Sequence, residues 1–289
     1  MRDTLQRGEF VVMAEIEPPK GVDTSKMQAN AAKLKGLVDA VMIPEMSSSV
    51  MRMSSLGGAV VLRDKGLNPV MQICCRDRNR IALQADLLAA SACGINSIVA
   101  VTGDDPRFGD HPQAQPVYDI DLTKLLEVIQ KMQQGRDMAG VNLQGAPSFL
   151  VGSTVNTGLG GEALEEEIGS LETKARLGAD FFISQPVFES TSLSAFCSQT
   201  GTDKKRIIPS VLLLKSLGMA RYIHKNLSHI HIPEEILERI KKAADKEREC
   251  IKVAAEVASD LKRDGFGGVL ISTMGWEHKI PEILDAMRG

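Results

Sequence analysis

The amino-acid sequence predicts an α/β protein: a single (β/α)8 TIM barrel over residues 1–289, with extra helices between strands 7 and 8. Three observations carry that expectation. Eight short apolar runs alternate with helical patterns along 289 residues, close to the ~250 residues typical of a barrel of eight βα units. The runs are continuous and rich in β-branched residues, as in parallel strands covered on both faces. No GxGxxG follows the first run, which counts against the rival doubly wound sheet and its dinucleotide fingerprint. No linker or shift in composition divides the chain, so one domain is expected.

Taken in order, Phe10 to Ile16 is the first strand, stopped by Pro18-Pro19. Ser25 reads as an N-cap or first-turn residue of a helix to about Leu37. Ala40 to Pro44 is the second strand, followed by the polar tip Glu45 to Ser49 and a helix to about Lys65. Pro69 to Cys75 is the third, and the helix after it, Arg80 to Cys93, is closed by Gly94. Ser97 to Val101 is the fourth strand. It runs into Thr102-Gly103-Asp104-Asp105-Pro106, where Gly103 permits close backbone approach and Pro106 ends the ladder. The loop from Asp105 to Asp121 holds Pro106, Pro112 and Pro116, and loops of this length are usually functional or disordered. Leu122 to Gln134 is a helix and Gly135 to Pro147 a second irregular stretch. Ser148 to Val155 is strand five, leading through Asn156 to Gly161 into an acidic helix from Glu162 to Leu177. Asp180 to Ser184 is strand six, ending in Gln185-Pro186, and Ile207 to Leu214 is strand seven, ending in Lys215-Ser216. Two or three helices fill Gly218 to Lys262, the middle one starting at an N1-like Pro233. Gly267 to Ser272 is strand eight and Ile280 to Met287 the closing helix.

Composition excludes several functions. The chain is 43% hydrophobic and 25% charged, with a net charge of −3 and 4% aromatic residues. Without a basic tract, nucleic acid is not the expected partner. No apolar run approaches the ~20 residues needed to cross a bilayer, and Met1 to Phe10 lacks the apolar core of a signal peptide. Five cysteines give no disulfide framework and suit a reducing cytoplasm. Cys74 and Cys75 are adjacent and point to opposite faces of a strand. With no CxxC and no HExxH, no metal site is expected.

In a barrel the site lies at the C-terminal ends of the strands. Those ends carry Glu15, Glu45, Arg76-Asp77, Gly103-Asp104, Gly152-Ser153 with Asn156, Gln185, Lys215 and Ser272-Thr273. The five histidines, His111, His224, His229, His231 and His278, lie elsewhere and read as solvated surface. The set suggests carboxylates and amides around a large polar ligand, with proton transfer from Glu15 or Asp104. Any hydride would come from a cofactor. Two plainer readings stand beside this one: Asp104 as a turn cap, and Glu15 as a strand-end ion pair with Arg76 or Lys20.

Four motifs add a resemblance. Glu15-Ile-Glu-Pro-Pro-Lys20, Cys75-Arg-Asp-Arg-Asn79, Val101-Thr-Gly-Asp-Asp-Pro106 and Ser184-Gln-Pro-Val-Phe188 occur in the order and spacing of the methylenetetrahydrofolate reductase family. Each is weak alone; four in register, from Glu15 to about Glu282, are specific. The resemblance implies a cytoplasmic flavoprotein of one-carbon metabolism and methionine biosynthesis that reduces 5,10-methylenetetrahydrofolate to 5-methyltetrahydrofolate. Under it, Glu15 falls at the general acid that protonates the bridge nitrogen of the folate. Asp104 falls at the aspartate lying against flavin and pterin, and Gln185 at the residue bonding the pterin edge. Lys174 matches a lysine reaching cofactor phosphate and Glu167 an acidic ribose contact, while Thr102, Gly103, Tyr118, Gly152 and Asn156 fall in segments that wrap the flavin. The implied cofactor is FAD, with FMN as the alternative.

Departures bear on the electron donor. Leu217 stands where many members have an aromatic residue, Gln72 replaces a histidine, and Pro44-Glu45-Met46 replaces a small, Thr-containing turn. These leave folate and flavin binding intact but open the donor to NAD(P)H or to a redox partner protein, as in some relatives; homo-oligomerisation is likewise open. The Met-rich stretch Met42 to Met53 reads either as a contact surface for such a partner or as packing. Two other functions compete: a pterin-binding methyltransferase barrel without flavin, and a catalytic subunit active only within a redox complex.

Overall fold

A computed structural model describes residues 1–227 and 230–288. The eight runs form one closed parallel barrel with the strands in sequence order: β1 Val11–Glu15, β2 Ala40–Ile43, β3 Pro69–Cys74, β4 Ser97–Val101, β5 Leu150–Val155, β6 Phe181–Pro186, β7 Ile207–Leu212 and β8 Gly268–Ser272. Closure is made by β1 on β8, with Val11 opposite Gly268 and Ala14 opposite Ile271.

Side chains alternate across each strand, so every strand feeds two cores. Val11, Met13, Met42, Val70, Val99, Phe181, Ile208 and Leu270 fill the barrel interior. Ala14, Val41, Ile43, Ile73, Ile98, Val151, Phe182 and Ile271 point outward under the helices. This two-sided burial explains why the strands read as continuous apolar runs rather than an alternating pattern.

The helices are α1 Arg2–Gln6, α2 Ser25–Leu34, α3 Ser55–Asp64, α4 Arg80–Ala92, α5 Leu122–Gln133, α6 Glu162–Arg176, α7 Ser190–Thr200, α8 Leu217–Asn226, α9 Glu234–Lys242, α10 Lys246–Arg263 and α11 Ile280–Ala286. Several begin where a side chain satisfies the free N–H groups of the first turn. Asn79 Oδ1 accepts from the amides of Ile81 and Ala82 at 3.1 Å, and Asp121 Oδ1 from that of Lys124 at 2.7 Å. Ser25 is the first residue of α2, with Thr24 as its N-cap; Pro233 is the N-cap of α9 rather than its first residue.

Three helices, α8 to α10, fill the insertion between β7 and β8. The structure adds α1, which has too few residues to show a helical period in the sequence; Met1 and Leu5 pack against the interior cluster and cover the N-terminal end of the barrel. His229 lies outside the described residues. Among the described residues, no helix is long and apolar enough to cross a membrane.

Candidate active site

Glu15 ends β1 and shares the inward parity of Val11 and Met13. Its Oε1 accepts a 2.7 Å hydrogen bond from Ser272 Oγ at the end of β8, so the closing seam of the barrel sets its position. Arg76 pairs with Asp77 at 2.7 Å and Lys20 with Asp110, so neither neutralises Glu15. Burial pushes its carboxyl up to about 7, the Ser272 bond works against that rise, and the nearby Glu17 and Glu277 carboxylates add to it. A carboxyl with that proton affinity is about half protonated at neutral pH, which is what a general acid requires.

Asp104 follows β4 on Gly103, which adopts φ +95°; a Cβ there would lie 2.2 Å from Cys74 Sγ and 2.9 Å from Arg76 Cβ. Only glycine lets the β4 tip lie so close to β3. The Asp104 carboxylate is exposed, and its Oδ2 accepts from the Ser48 amide at 2.7 Å. Its carbonyl accepts from Ser49 Oγ at 2.8 Å and Arg76 Nη1 at 3.3 Å. The β2 tip that supplies the Ser48 and Ser49 donors is bent sharply, with Met46, Ser48 and Ser49 at φ 48°, 54° and 55°. Such backbone costs about 1–3 kcal/mol per non-glycine residue and persists where surrounding contacts over-determine it. Among the described residues, Tyr118 and Met274 are the other non-glycine residues with positive φ, and they lie in the loops after β4 and β8.

Beside these tips opens a cleft of about 790 Å³ lined by Thr102, Tyr118, Asp121, Leu122, Thr123, Thr154, Val155, Asn156, Glu167, Ser170, Lys174, Ile183, Ser184 and Gln185. Its size lies within the ~300–1,000 Å³ of ligand sites. Lys174 is only 7% exposed; its Nζ donates to Thr154 O at 2.9 Å and Glu167 Oε1 at 3.2 Å. The same Glu167 oxygen accepts from the Asn156 amide at 3.3 Å. Gln185 sits where the β6–β7 register slips between Ile183 and Pro186, an irregularity of the kind that re-aims a side chain near a site. Its Oε1 accepts from the Thr157 amide at 3.0 Å and its Nε2 donates to Thr157 Oγ1 at 3.3 Å.

Thr102, Tyr118, Asn156, Glu167, Lys174 and Gln185, all read from sequence as site residues, thus line one cleft. Gly103 underlies its edge, with Gly103 O accepting from the Tyr118 hydroxyl at 3.4 Å. Glu15 and Asp104 stand at the same end of the barrel but outside the cleft lining. Gly152 lies deeper, inside β5, where a Cβ would meet the Phe181 ring at 2.4 Å; its missing side chain serves core packing.

Other strand-end candidates turn away. Glu45 is buried, accepts from the Ser55 amide at 2.8 Å and pairs with Arg78 at 3.2 Å, serving the start of α3. Ser153 donates to Ala100 O at 3.2 Å within the sheet, and Lys215 donates to Met274 O at 2.5 Å. Of the Met-rich stretch, Met42 is interior core and Met51 is 46% exposed.

The sequence reading missed Asp121, Thr123, Thr154, Ser170 and Ser184. Two carried a usable signal. Ser170 shares a helical face with Glu167 and Lys174, and Thr154 shares the parity of Gly152 one step nearer the strand end.

Fold and site together define a (β/α)8 barrel protein with a ligand-sized cleft of mixed polar and apolar lining and a carboxyl group raised to about 7 at the C-terminal ends of its strands. Residues 1–288 match the family model described as methylenetetrahydrofolate reductase, and the chain belongs to that family. Among solved structures it is similar to an uncharacterized protein from Clostridium thermocellum that binds two copies of 5-methyl-5,6,7,8-tetrahydrofolic acid. That match has 14% identity over 99% of this chain and 97% of that one, with a TM-score of 0.63. It is also similar to EDTA monooxygenase from Chelativorans sp. BNC1, at 10% identity over 97% and 94% of the two chains and a TM-score of 0.57. A third neighbour, 2,3-dimethylmalate lyase, has 11% identity over 99% of this chain and 83% of that one, with a TM-score of 0.54. At these identities the neighbours share the fold, and their differing chemistries show that the fold alone does not choose a reaction.

Proposed function

We propose that this chain reduces 5,10-methylenetetrahydrofolate to 5-methyltetrahydrofolate with a bound flavin, and that Glu15 is the general acid. The observation that carries the reading is the Glu15 carboxyl, anchored by Ser272 at the barrel mouth and ionising at about 7. Family membership and the folate bound by the Clostridium thermocellum neighbour support the choice of substrate.

The cleft residues suit a flavin. Lys174 offers a cation for phosphate, Glu167 and Asn156 offer hydrogen bonds for ribityl or ribose hydroxyls, and Tyr118, Val155 and Ile183 offer apolar wall. FAD is the expected form and FMN the alternative. When bound, the flavin would supply the hydride that no side chain can.

The remaining work falls to the chain. Glu15 Oε1 is held by Ser272, so the proton sits on Oε2 and passes to the bridge nitrogen of the folate. The carbon–nitrogen bond then breaks and leaves a cationic iminium, whose carbon accepts the hydride. Asp104 stabilises that cation through space, and Gln185, once released from Thr157, bonds the pterin edge.

A second reading concerns the electron donor. Val22, Met51, Phe108 and Met274 are large, exposed and apolar, and all lie on loops at the mouth after β1, β2, β4 and β8. Such a rim suits a redox partner protein, while Leu217, half-buried against the core, offers no aromatic face to nicotinamide.

Flavin release by heat followed by absorbance tests the main reading, with about one equivalent of flavin per chain expected. A colourless protein that resists reconstitution, or one that transfers methyl groups without flavin, overturns it. Reduction by an artificial dye with little NADH or NADPH activity would select the partner-protein donor.

A further inference from the structure

Arg76 lies at the centre of the β2, β3 and β4 tips, yet its side chain is only 2% exposed and so does not reach the mouth. One edge of its guanidinium grips Asp77, Nε to Oδ1 at 2.7 Å and Nη2 to Oδ2 at 2.8 Å. The other nitrogen, Nη1, donates to Met46 O at 3.5 Å, Ser49 Oγ at 3.0 Å and Asp104 O at 3.3 Å. Its own carbonyl accepts from the Val117 amide at 2.7 Å, next to Tyr118 in the cleft wall. The consecutive residues Ser48 and Ser49 hold Asp104 at both its carboxylate and its carbonyl, and Arg76 holds Ser49.

We propose that Arg76 is a positioning residue: its guanidinium locks the strained β2 tip onto the β4 tip and thereby fixes the height and orientation of the Asp104 carboxylate. The inference rests on the reading of Asp104 as the group that stabilises the cationic iminium. A rigid planar fork is required, because a lysine ammonium cannot span the bidentate Asp77 and the three oxygens beyond it. Released from Arg76, the left-handed backbone of Met46, Ser48 and Ser49 can relax to ordinary conformations. The Ser48 amide then leaves Asp104. Misplacing a reacting charge by about 1 Å is enough to cost up to ~10²-fold in rate.

The test compares Arg76→Lys and the milder Ser49→Ala, each alone and combined with Asp104→Asn, in flavin-loaded protein. Ser49→Ala keeps the proposal testable if Arg76→Lys does not fold. The folate half-reaction is followed by stopped flow, the flavin potential by dye equilibration, and hydrogen exchange of residues 46–51 and 103–110 in flavin-free protein.

Arg76→Lys is expected to slow the folate half-reaction by about 10–10²-fold through kcat rather than KM, and Ser49→Ala less, with exchange rising in both tips together. Neither is expected to add to Asp104→Asn, because both act through that carboxylate. If Asp104→Asn alone changes neither rate nor potential, the reading of Asp104 fails and takes the positioning role with it. If Asp104→Asn slows the reaction but the other two variants are silent, or their losses add to it, only the positioning role of Arg76 is overturned.

Discussion

Two regions of the mouth hold the two proposed catalytic carboxylates, and they are built differently. At the β1–β8 seam, Glu15 is fixed by one serine hydroxyl and owes its proton affinity to burial in the barrel. At the β2–β4 tips, Asp104 is exposed and fixed by backbone and side-chain donors from a strained neighbouring loop. The difference separates two tasks. An acid must be poorly hydrated so that it keeps its proton, whereas a charge that stabilises a cation must stay ionised in a set direction. Burial serves the first and a hydrogen-bonded tip the second.

The largest expected effect tests the seam. Glu15→Gln should retain flavin and its reduction while losing ~10²–10⁴-fold in the folate half-reaction; equal losses in both half-reactions would make Glu15 structural. The tip comes next. If the proposed function holds, with Asp104 against both flavin and pterin, Asp104→Asn removes an anion from the flavin's surroundings and should raise its potential, while the folate half-reaction slows by ~10–10²-fold as the iminium loses its counter-charge. An unchanged potential and rate would return Asp104 to a turn cap. In the cleft beside the tips, Lys174→Met should weaken flavin binding by about 10-fold or more, since a hydrogen-bonded charge is worth ~1.5–3 kcal/mol; fluorescence titration of flavin-free protein checks it.

A smaller effect sharpens the comparison through stability. Glu15 ionises at about 7 when folded against an ordinary 4.5, so across that window the folded state binds more protons than the unfolded one. Its contribution therefore turns unfavourable as pH rises from 4.5 and reaches its full cost above 7. Glu15→Gln should be more stable than the parent at pH 8, on the order of 1–3 kcal/mol, with the gain fading towards pH 4.5. Urea midpoints at several pH values measure this; a pH-independent difference would show that burial does not hold the proton.

The eight strands are legible because burial on two faces leaves continuous apolar runs; β4 matches to the residue, Ser97–Val101, whereas the run of β7 continues past Leu212 into the buried loop residues Leu213 and Leu214. α1 is not legible, because its five residues are too few to show a helical period and are held by packing on the barrel floor. Six of the cleft residues were legible through motif and resemblance. Gly152 was placed too high because a glycine at a strand end looks the same whether a ligand or the Phe181 ring fills the space above it. Glu45 looked like Glu15 in sequence, but Arg78 and Ser55 draw it to the start of α3. Partners brought together only by folding decide such cases. The Arg76 hub illustrates the same limit, since its three loops are joined through contacts between residues up to 56 positions apart in sequence.

The most direct test of the central claim is the pH dependence of the folate half-reaction in single turnovers of pre-reduced protein. The rate should fall as pH rises through about 7, the point at which Glu15 loses its proton, and flavin reduction should show no matching limb. In Glu15→Gln the residual rate should be flat over the same range. A parent profile that stays level from pH 6 to 8, or a Glu15→Gln protein that keeps the descending limb, would contradict Glu15 as the proton donor.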